Sequence, residues 1–174
     1  VTQAPDGSAP SIPLSVVEIR RRPGSRRPVS AHLEAHGLAI TDAAVPEGAE
    51  IRFEGEVESI HEGVVLTGSA AVPWTGACRR CLGEVTGVAT VEVREVYETH
   101  PTEGETWPLD HDHIDLGPVL HDLALLALPL APLCADDCAG PAPDAFPATV
   151  VTEPDPDAPP PKDPRWAALD DLEL

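Results

Sequence analysis

Glu50-Ile51-Arg52-Phe53-Glu54-Gly55-Glu56-Val57-Glu58 alternates without a lapse, with Ile51, Phe53, Gly55 and Val57 on one side and charged residues on the other. A period of two with one apolar face specifies a half-buried antiparallel strand. His61-Glu62-Gly63 supplies a turn, and Val64 to Val72 runs back as the hairpin partner, bounded by Gly63 and Pro73. Thr86 to Tyr97 repeats the pattern, Val91 and Val93 opposing Glu92 and Arg94. Between the second and third runs stands Cys78-Arg79-Arg80-Cys81-Leu82, so a cysteine pair occupies the connection between neighbouring strands. A tight turn there aims both thiolates the same way, as a metal knuckle requires.

Outside this strand region the chain changes character twice. Leu14 to Ile19 has the composition of a short first strand, and it leads into a basic turn containing Arg20, Arg21, Arg22, Arg26 and Arg27. Arginine forks grip phosphate bidentately, so these five are the candidate nucleic-acid contacts, against the plainer reading of a solvated loop. Ile114 to Leu128 is the convincing helix, with Asp115 as N-cap, Pro118 in the first turn and Pro129 as the stop. Leu116, Val119, Leu120, Leu123, Leu126 and Ala127 form its apolar stripe, suited to packing on a sheet. Nine of the 21 prolines and ten acidic side chains lie between Cys134 and Leu174. That composition cannot fund a packed core. Trp166 and Leu169 then bring apolar character back near the end, which marks a docking segment, for the domain itself or for a partner.

The net charge of −19 is uneven: residues 1–28 carry +3 and the remainder −22. An acidic body repels phosphate backbones and excludes broad electrostatic binding of nucleic acid. It suits a basic protein partner instead. The longest apolar run, Leu123 to Leu133, holds eleven residues with Pro129 and Pro132 among them, too few for a bilayer. No charged segment followed by an apolar one opens the chain, so neither a signal peptide nor membrane association is expected, and the location is cytoplasmic.

In a reducing compartment, C-x2-C spacing points to metal or redox chemistry before structural disulfides. Cys78, Cys81, Cys134 and Cys138 are the four cysteines of the chain, and four thiolates satisfy tetrahedral Zn²⁺. Three uses stay open: a shared structural zinc site, a redox pair, and free thiols. The position between strands disfavours redox use, since thioredoxin-type pairs open a helix in a parallel unit. His111-Asp112-His113 beside Asp110 and Asp115 is a second acidic, imidazole-bearing group, read as a solvated loop in preference to a metal site. No nucleophile elbow, phosphate-binding glycine loop or metalloprotease helix is present, so neither an enzyme nor a small-molecule substrate is expected.

Five stretches, in order along the chain, carry a family resemblance: Arg22-Pro23-Gly24-Ser25, Glu62-Gly63-Val64-Val65-Leu66-Thr67-Gly68, Cys78-Arg79-Arg80-Cys81-Leu82, the block from Ile114-Asp115-Leu116 to Leu128-Pro129-Leu130-Ala131-Pro132-Leu133-Cys134, and Asp163-Pro164-Arg165-Trp166-Ala167-Ala168-Leu169. Together they resemble the YceD family, bacterial and plastid proteins linked to accumulation of large-subunit ribosomal RNA. The resemblance implies a non-enzymatic factor in large-subunit biogenesis that supports 23S rRNA through a large-subunit ribosomal protein, precursor rRNA, or both. An interaction module stabilised by zinc and unrelated to the ribosome is the alternative. One departure matters. Many relatives carry a further Leu-Cys-x-x-Cys-Gly segment after the Cys138 position, whereas Ala139 to Ala148 holds no cysteine here. A four-thiolate site in this chain must therefore recruit Cys78 and Cys81. The expected architecture is α+β: an antiparallel, barrel-like β-sheet, one main packed helix and a Pro-rich acidic C-terminal tail. Its divisions are a flexible N-terminus (1–13), a single domain with the cysteine knuckle (14–140), and the tail ending in a docking segment (141–174).

Overall fold

The alternation at Glu50 builds what it predicts, a strand over Glu50–Ser59 with Ile51, Phe53 and Val57 buried. The computed structural model describes residues 10–145. The chain divides into two units, Val1–Pro141 and Ala142–Leu174. Of the second, only a turn closed by the Ala145 N–H on the Ala142 carbonyl at 3.1 Å is described. Of the flexible N-terminus expected over residues 1–13, residues 1–9 lie outside the described residues, as does the tail with Trp166 and Leu169; Ser11 and Ile12 are tied to Asp115 and Pro13 opens a strand.

In chain order the first unit runs β1 (Pro13–Ser15), α1 (Val17–Arg20), β2 (Arg26–Glu34), β3 (Ala43–Ala44), β4 (Glu50–Ser59), β5 (Gly63–Ala77), β6 (Glu84–Glu98), β7 (Trp107–Asp110), β8 (His113–Asp115) and α2 (Gly117–Ala127). The strands form one sheet in the order β1-β8-β7-β6-β5-β4-β2, with β3 added to the far half of β5. The fold is mostly sheet, curled into a half-barrel, with α2 against β2, β4, β5 and β6. The barrel does not close, because β1 and β2 end the path without pairing to each other. Nor is the sheet wholly antiparallel: β6 and β7 pair in parallel through Tyr97–Trp107 and Glu98–Pro108.

Several elements differ from their sequence reading, each for a local reason. Leu14 to Ile19 is not a continuous strand. After β1 the backbone turns helical, because Val16 and Ile19, both buried, share a face at a spacing of three, and the Arg20 N–H bonds back to the Val16 carbonyl at 3.0 Å. β2 is a strand that the sequence reading does not include: Val29, Ala31 and Leu33 alternate there, but the basic residues before it and Pro28 within it read as a turn. As an edge strand, paired only with β4, it tolerates that proline. Pro73 does not end β5, which continues to Ala77. It falls in the gap between the β4 pairing, which stops at Ala71, and the β3 pairing, which starts at Thr75, so no ladder bond is lost.

The core lies between the concave face of the sheet and α2. Tyr97, Phe53, Ile51, Leu66, Ile114, Leu116 and Leu120 are its largest fully enclosed side chains. Gly55 and Gly68 face each other across β4 and β5; a Cβ on Gly68 would stand 2.9 Å from the Phe53 ring, so the pair clears room for it. The helix begins three residues later than its pattern suggests, since Ile114 and Asp115 belong to β8. Its buried residues are Gly117, Val119, Leu120 and Ala124, while Leu126 is 81% exposed and leaves the expected stripe. Leu128 is extended, as a residue before proline must be.

Asp115 still acts at the helix start, though from one residue before the N-cap. Its carboxylate accepts the Ser11 hydroxyl at 2.7 Å and the Ile12 and Gly117 N–H groups at 2.7 and 2.9 Å. One side chain thereby ties residues 11 and 12 to the first turn of α2. Partial burial pushes its pKa up, but the three hydrogen bonds outweigh that and hold it below the usual value. A depressed folded-state pKa gives stability that is present above the unfolded value and lost as pH falls through the folded one. Thermal melts should therefore show Asp115→Asn losing about 1–2 kcal/mol at neutral pH. The gap between variant and wild type should narrow below about pH 4. A gap that stays constant from neutral to acid pH would remove the carboxylate from this role.

Candidate metal centre

The β5–β6 hairpin delivers the first cysteine pair. Ala77 opposite Glu84 is its last strand pair, and the Cys78 N–H then bonds to the Gly83 carbonyl at 2.8 Å. The Leu82 N–H returns to the Cys78 carbonyl at 2.8 Å, and Leu82 takes φ 60°, the left-handed conformation that closes the loop. Cys78 is buried and Cys81 half-buried.

The second pair arrives from the segment after α2. The Arg79 N–H bonds to the Pro132 carbonyl at 2.9 Å, laying that segment beside the hairpin tip. Arg80 reaches across with one guanidinium nitrogen, donating to the Asp136 and Cys138 carbonyls at 2.8 and 3.0 Å. Sequence reading gave Arg80 no role. Its position inside the cysteine spacing was visible, but the carbonyls it holds lie over fifty residues away.

The four sulfurs lie within 4.8 Å of one another. Cys78 to Cys138 is 3.8 Å and Cys81 to Cys134 is 3.7 Å. Four thiolates about 2.3 Å from a tetrahedrally bound ion stand about 3.8 Å apart, so the donor set fits one ion. All four cysteines are free thiols. The Cys78 thiol is pulled down to about 6, chiefly because the backbone N–H groups of Cys81, Cys134 and Arg80 point at its sulfur. Cys134 is pushed up to about 12 by hydrogen bonds with the thiols of Cys138, Cys81 and Cys78. A cation among them would relieve that crowding of protons and charge. Among the described residues no other group of histidine, cysteine and carboxylate side chains gathers in this way. His111 and Asp112 instead take positive φ, 43° and 64°, as the two-residue turn joining β7 to β8, where their side chains do not converge.

The five arginines are dispersed. Arg20 pairs with Asp112 at 3.3 Å and donates to Thr99 at 3.1 Å. Arg26 bridges Glu56 and Glu58 at 3.0 and 2.9 Å, and Arg27 donates to the Ser15 carbonyl at 2.6 Å. Arg21 and Arg22 are exposed and make no ion pair among the described residues. No helix of the described residues is long and apolar enough to cross a membrane.

An uncharacterized protein of Mycobacterium tuberculosis is 31% identical over 166 residues, covering 90% of this chain and 78% of its own. Its counterpart in Mycobacterium bovis shows the same figures. An uncharacterized protein of Mycobacterium leprae is 28% identical over 169 residues, covering 91% and 76%. No solved structure matches. Residues 66–173, which span the hairpin, the knuckle, α2 and both cysteine pairs, match the family described as "Large ribosomal RNA subunit accumulation protein YceD", and the chain belongs to that family.

Proposed function

We propose that this protein is a non-enzymatic factor in large ribosomal subunit biogenesis, supporting accumulation of 23S rRNA by binding a large-subunit ribosomal protein, precursor rRNA, or both, in the cytoplasm. Family membership over residues 66–173 is the observation that carries this reading. The charge distribution favours protein over RNA as the direct contact. Carboxylates match Arg20 and Arg26, so the basic turn offers phosphate chiefly Arg21 and Arg22.

In this reading the four cysteines hold Zn²⁺ as a structural brace. The softness of four thiolates, their spacing and the backbone N–H groups aimed at Cys78 favour that ion. Zinc would supply no catalysis here; it would join the hairpin tip to the segment after α2. The redox alternative needs an accessible thiolate. Cys78, whose thiol pKa is pulled down by the backbone N–H groups around it, is buried.

Depletion of the protein should lower mature large-subunit rRNA and the free and assembled large subunit on sucrose gradients. A pull-down of the tagged protein should recover large-subunit proteins or precursor rRNA. Normal gradients together with a pull-down lacking both would overturn the proposal.

Freshly purified, reduced protein should carry about one zinc per chain, lost in both Cys78→Ser and Cys134→Ser. Native Cys78 and Cys81 should alkylate slowly until metal is released by denaturation. Wild-type protein without zinc, or a Cys134→Ser variant that retains all of it, would exclude the shared site.

A further inference from the structure

β6 pairs with β5 along its whole length, but its other edge meets β7 only at Tyr97 and Glu98. Residues 84–96 therefore present an open edge among the described residues. The direction of its backbone groups follows from the hairpin tip. Cys78 and Gly83 face each other, whereas the Ala77 N–H turns away to the Asp42 carbonyl at 3.3 Å. Alternation along an antiparallel ladder then aims the odd-numbered residues of β6 at β5. Glu84, Thr86, Val88, Thr90, Glu92 and Arg94 turn their N–H and C=O groups outward, and none of them has a backbone partner outside β5 among the described residues.

Most sheets blunt such an edge with proline, lysine, a bulge or a covering element. β2, at the opposite end of the path, carries Pro28. β6 has neither proline nor lysine and pairs with β5 without a bulge; its outward positions carry charge at Glu84, Glu92 and Arg94 and leave Thr86, Val88 and Thr90 uncharged between them. Beside the edge lies a groove of about 370 Å³, floored by Trp107, Val119, Leu123 and the largely exposed Leu126, and rimmed by Glu95, Glu105 and Asp122. The Trp107 indole N–H donates to Glu95 at 2.8 Å, which fixes one wall. An unpaired ladder, an apolar floor and a carboxylate rim occur side by side.

The geometry points to this edge as the docking site for an extended, basic protein segment that adds a strand to β6 and sets alternate apolar side chains over Trp107 and Leu126. Main-chain bonds give such docking its strength, and the pockets for alternate side chains give it selectivity. The carboxylate rim and the charge of −19 select lysine and arginine in the segment and disfavour a second copy of this acidic chain. The identity of the partner as a ribosomal protein rests on the assembly-factor reading; the chemistry of docking does not.

The test uses the full-length protein and a soluble peptide of about thirteen residues, enough to span the open edge, alternating lysine with valine. A counterpart carrying glutamate for lysine is the control. Fluorescence anisotropy should show binding of the lysine peptide that weakens with salt, and none of the glutamate peptide. Thr90→Pro removes one outward N–H at a position where an edge strand accepts proline, and it should weaken binding at least roughly tenfold. Thr90→Val keeps that N–H and should bind as wild type. Asp122→Lys, on the helix and clear of the ladder, should weaken binding several-fold. Amide exchange should slow on binding at Thr86, Val88, Thr90 and Glu92, and stay unchanged at Val85, Gly87, Ala89 and Val91. Equal affinity for both peptides, no effect of Thr90→Pro, or protection spread evenly over both sets of amides would overturn the inference. So would a wild-type dimer in sedimentation that Thr90→Pro dissociates, since the edge would then serve a second copy. If docking fails while depletion still lowers large-subunit rRNA, this surface is wrong and the assembly-factor reading stands.

Discussion

From Gly63 opposite Glu98 to Ala77 opposite Glu84, β5 and β6 are paired without a break, and the other parts of the sheet take their place from that ladder. β4 and β3 share the far edge of β5, one on each side of Pro73. α2 lies across the concave face where Leu66, Val93 and Tyr97 are buried. The Tyr97 hydroxyl, donating to the Asp115 carbonyl at 3.0 Å, joins the ladder to the strand that leads into α2. Burial among apolar groups, with the carboxylates of Glu95 and Asp115 nearby, raises the Tyr97 pKa and keeps that hydroxyl a donor at any working pH. A long two-stranded ribbon twists strongly and is stiff only where something clamps it. At one end α2 and the core serve. At the other end Arg79 and Arg80 tie the hairpin tip to the segment after α2, beside the cluster of Cys78, Cys81, Cys134 and Cys138.

That division explains which parts were legible in the sequence. β4, β5, β6 and α2 each carry a hydrophobic period over many residues, and each was found. The shared cysteine site is one of three uses the spacing leaves open, and the structure does gather the four sulfurs. Elements fixed by tertiary contact left weaker traces. β1 exists because Leu14 meets Ile114, and β8 because Leu109 and Ile114 oppose each other across a two-residue turn. Strands of three or four residues hold too little pattern to register. The parallel contact of β6 with β7 is set by the path of the 99–106 loop, which no periodicity encodes. The helical reading of Leu126 failed for a simpler reason: a stripe marks a face, and the sheet covers only part of it.

Electrostatics in the N-terminal region show how a charge count misleads. Five arginines within eight residues suggest a phosphate grip when read as a run. The fold sends Arg26 and Arg27 along a strand, where register places Arg26 opposite Glu58. It leaves Arg20 at the end of α1, within reach of Asp112 in the β7–β8 turn. Exposed ion pairs like these add little stability. They do offset Arg20 and Arg26 towards a distant ligand, so the run presents less positive charge than its count suggests.

An acidic body whose β6 edge is open among the described residues has a kinetic consequence for any basic partner. Long-range attraction gathers a lysine- and arginine-rich segment near the surface, while the unpaired N–H and C=O groups of β6 hold it only in an extended conformation. Charge alone would retain such a segment in many arrangements; the ladder selects one. A nascent basic protein that is disordered away from RNA suits this combination, because strand addition orders it at the moment of contact. Release then needs only a stronger counter-charge that competes for the same lysines and arginines. The bonds of Arg79 and Arg80 bear on the same step: by holding the hairpin tip against the segment after α2, they limit twisting of the far half of β6 independently of the core.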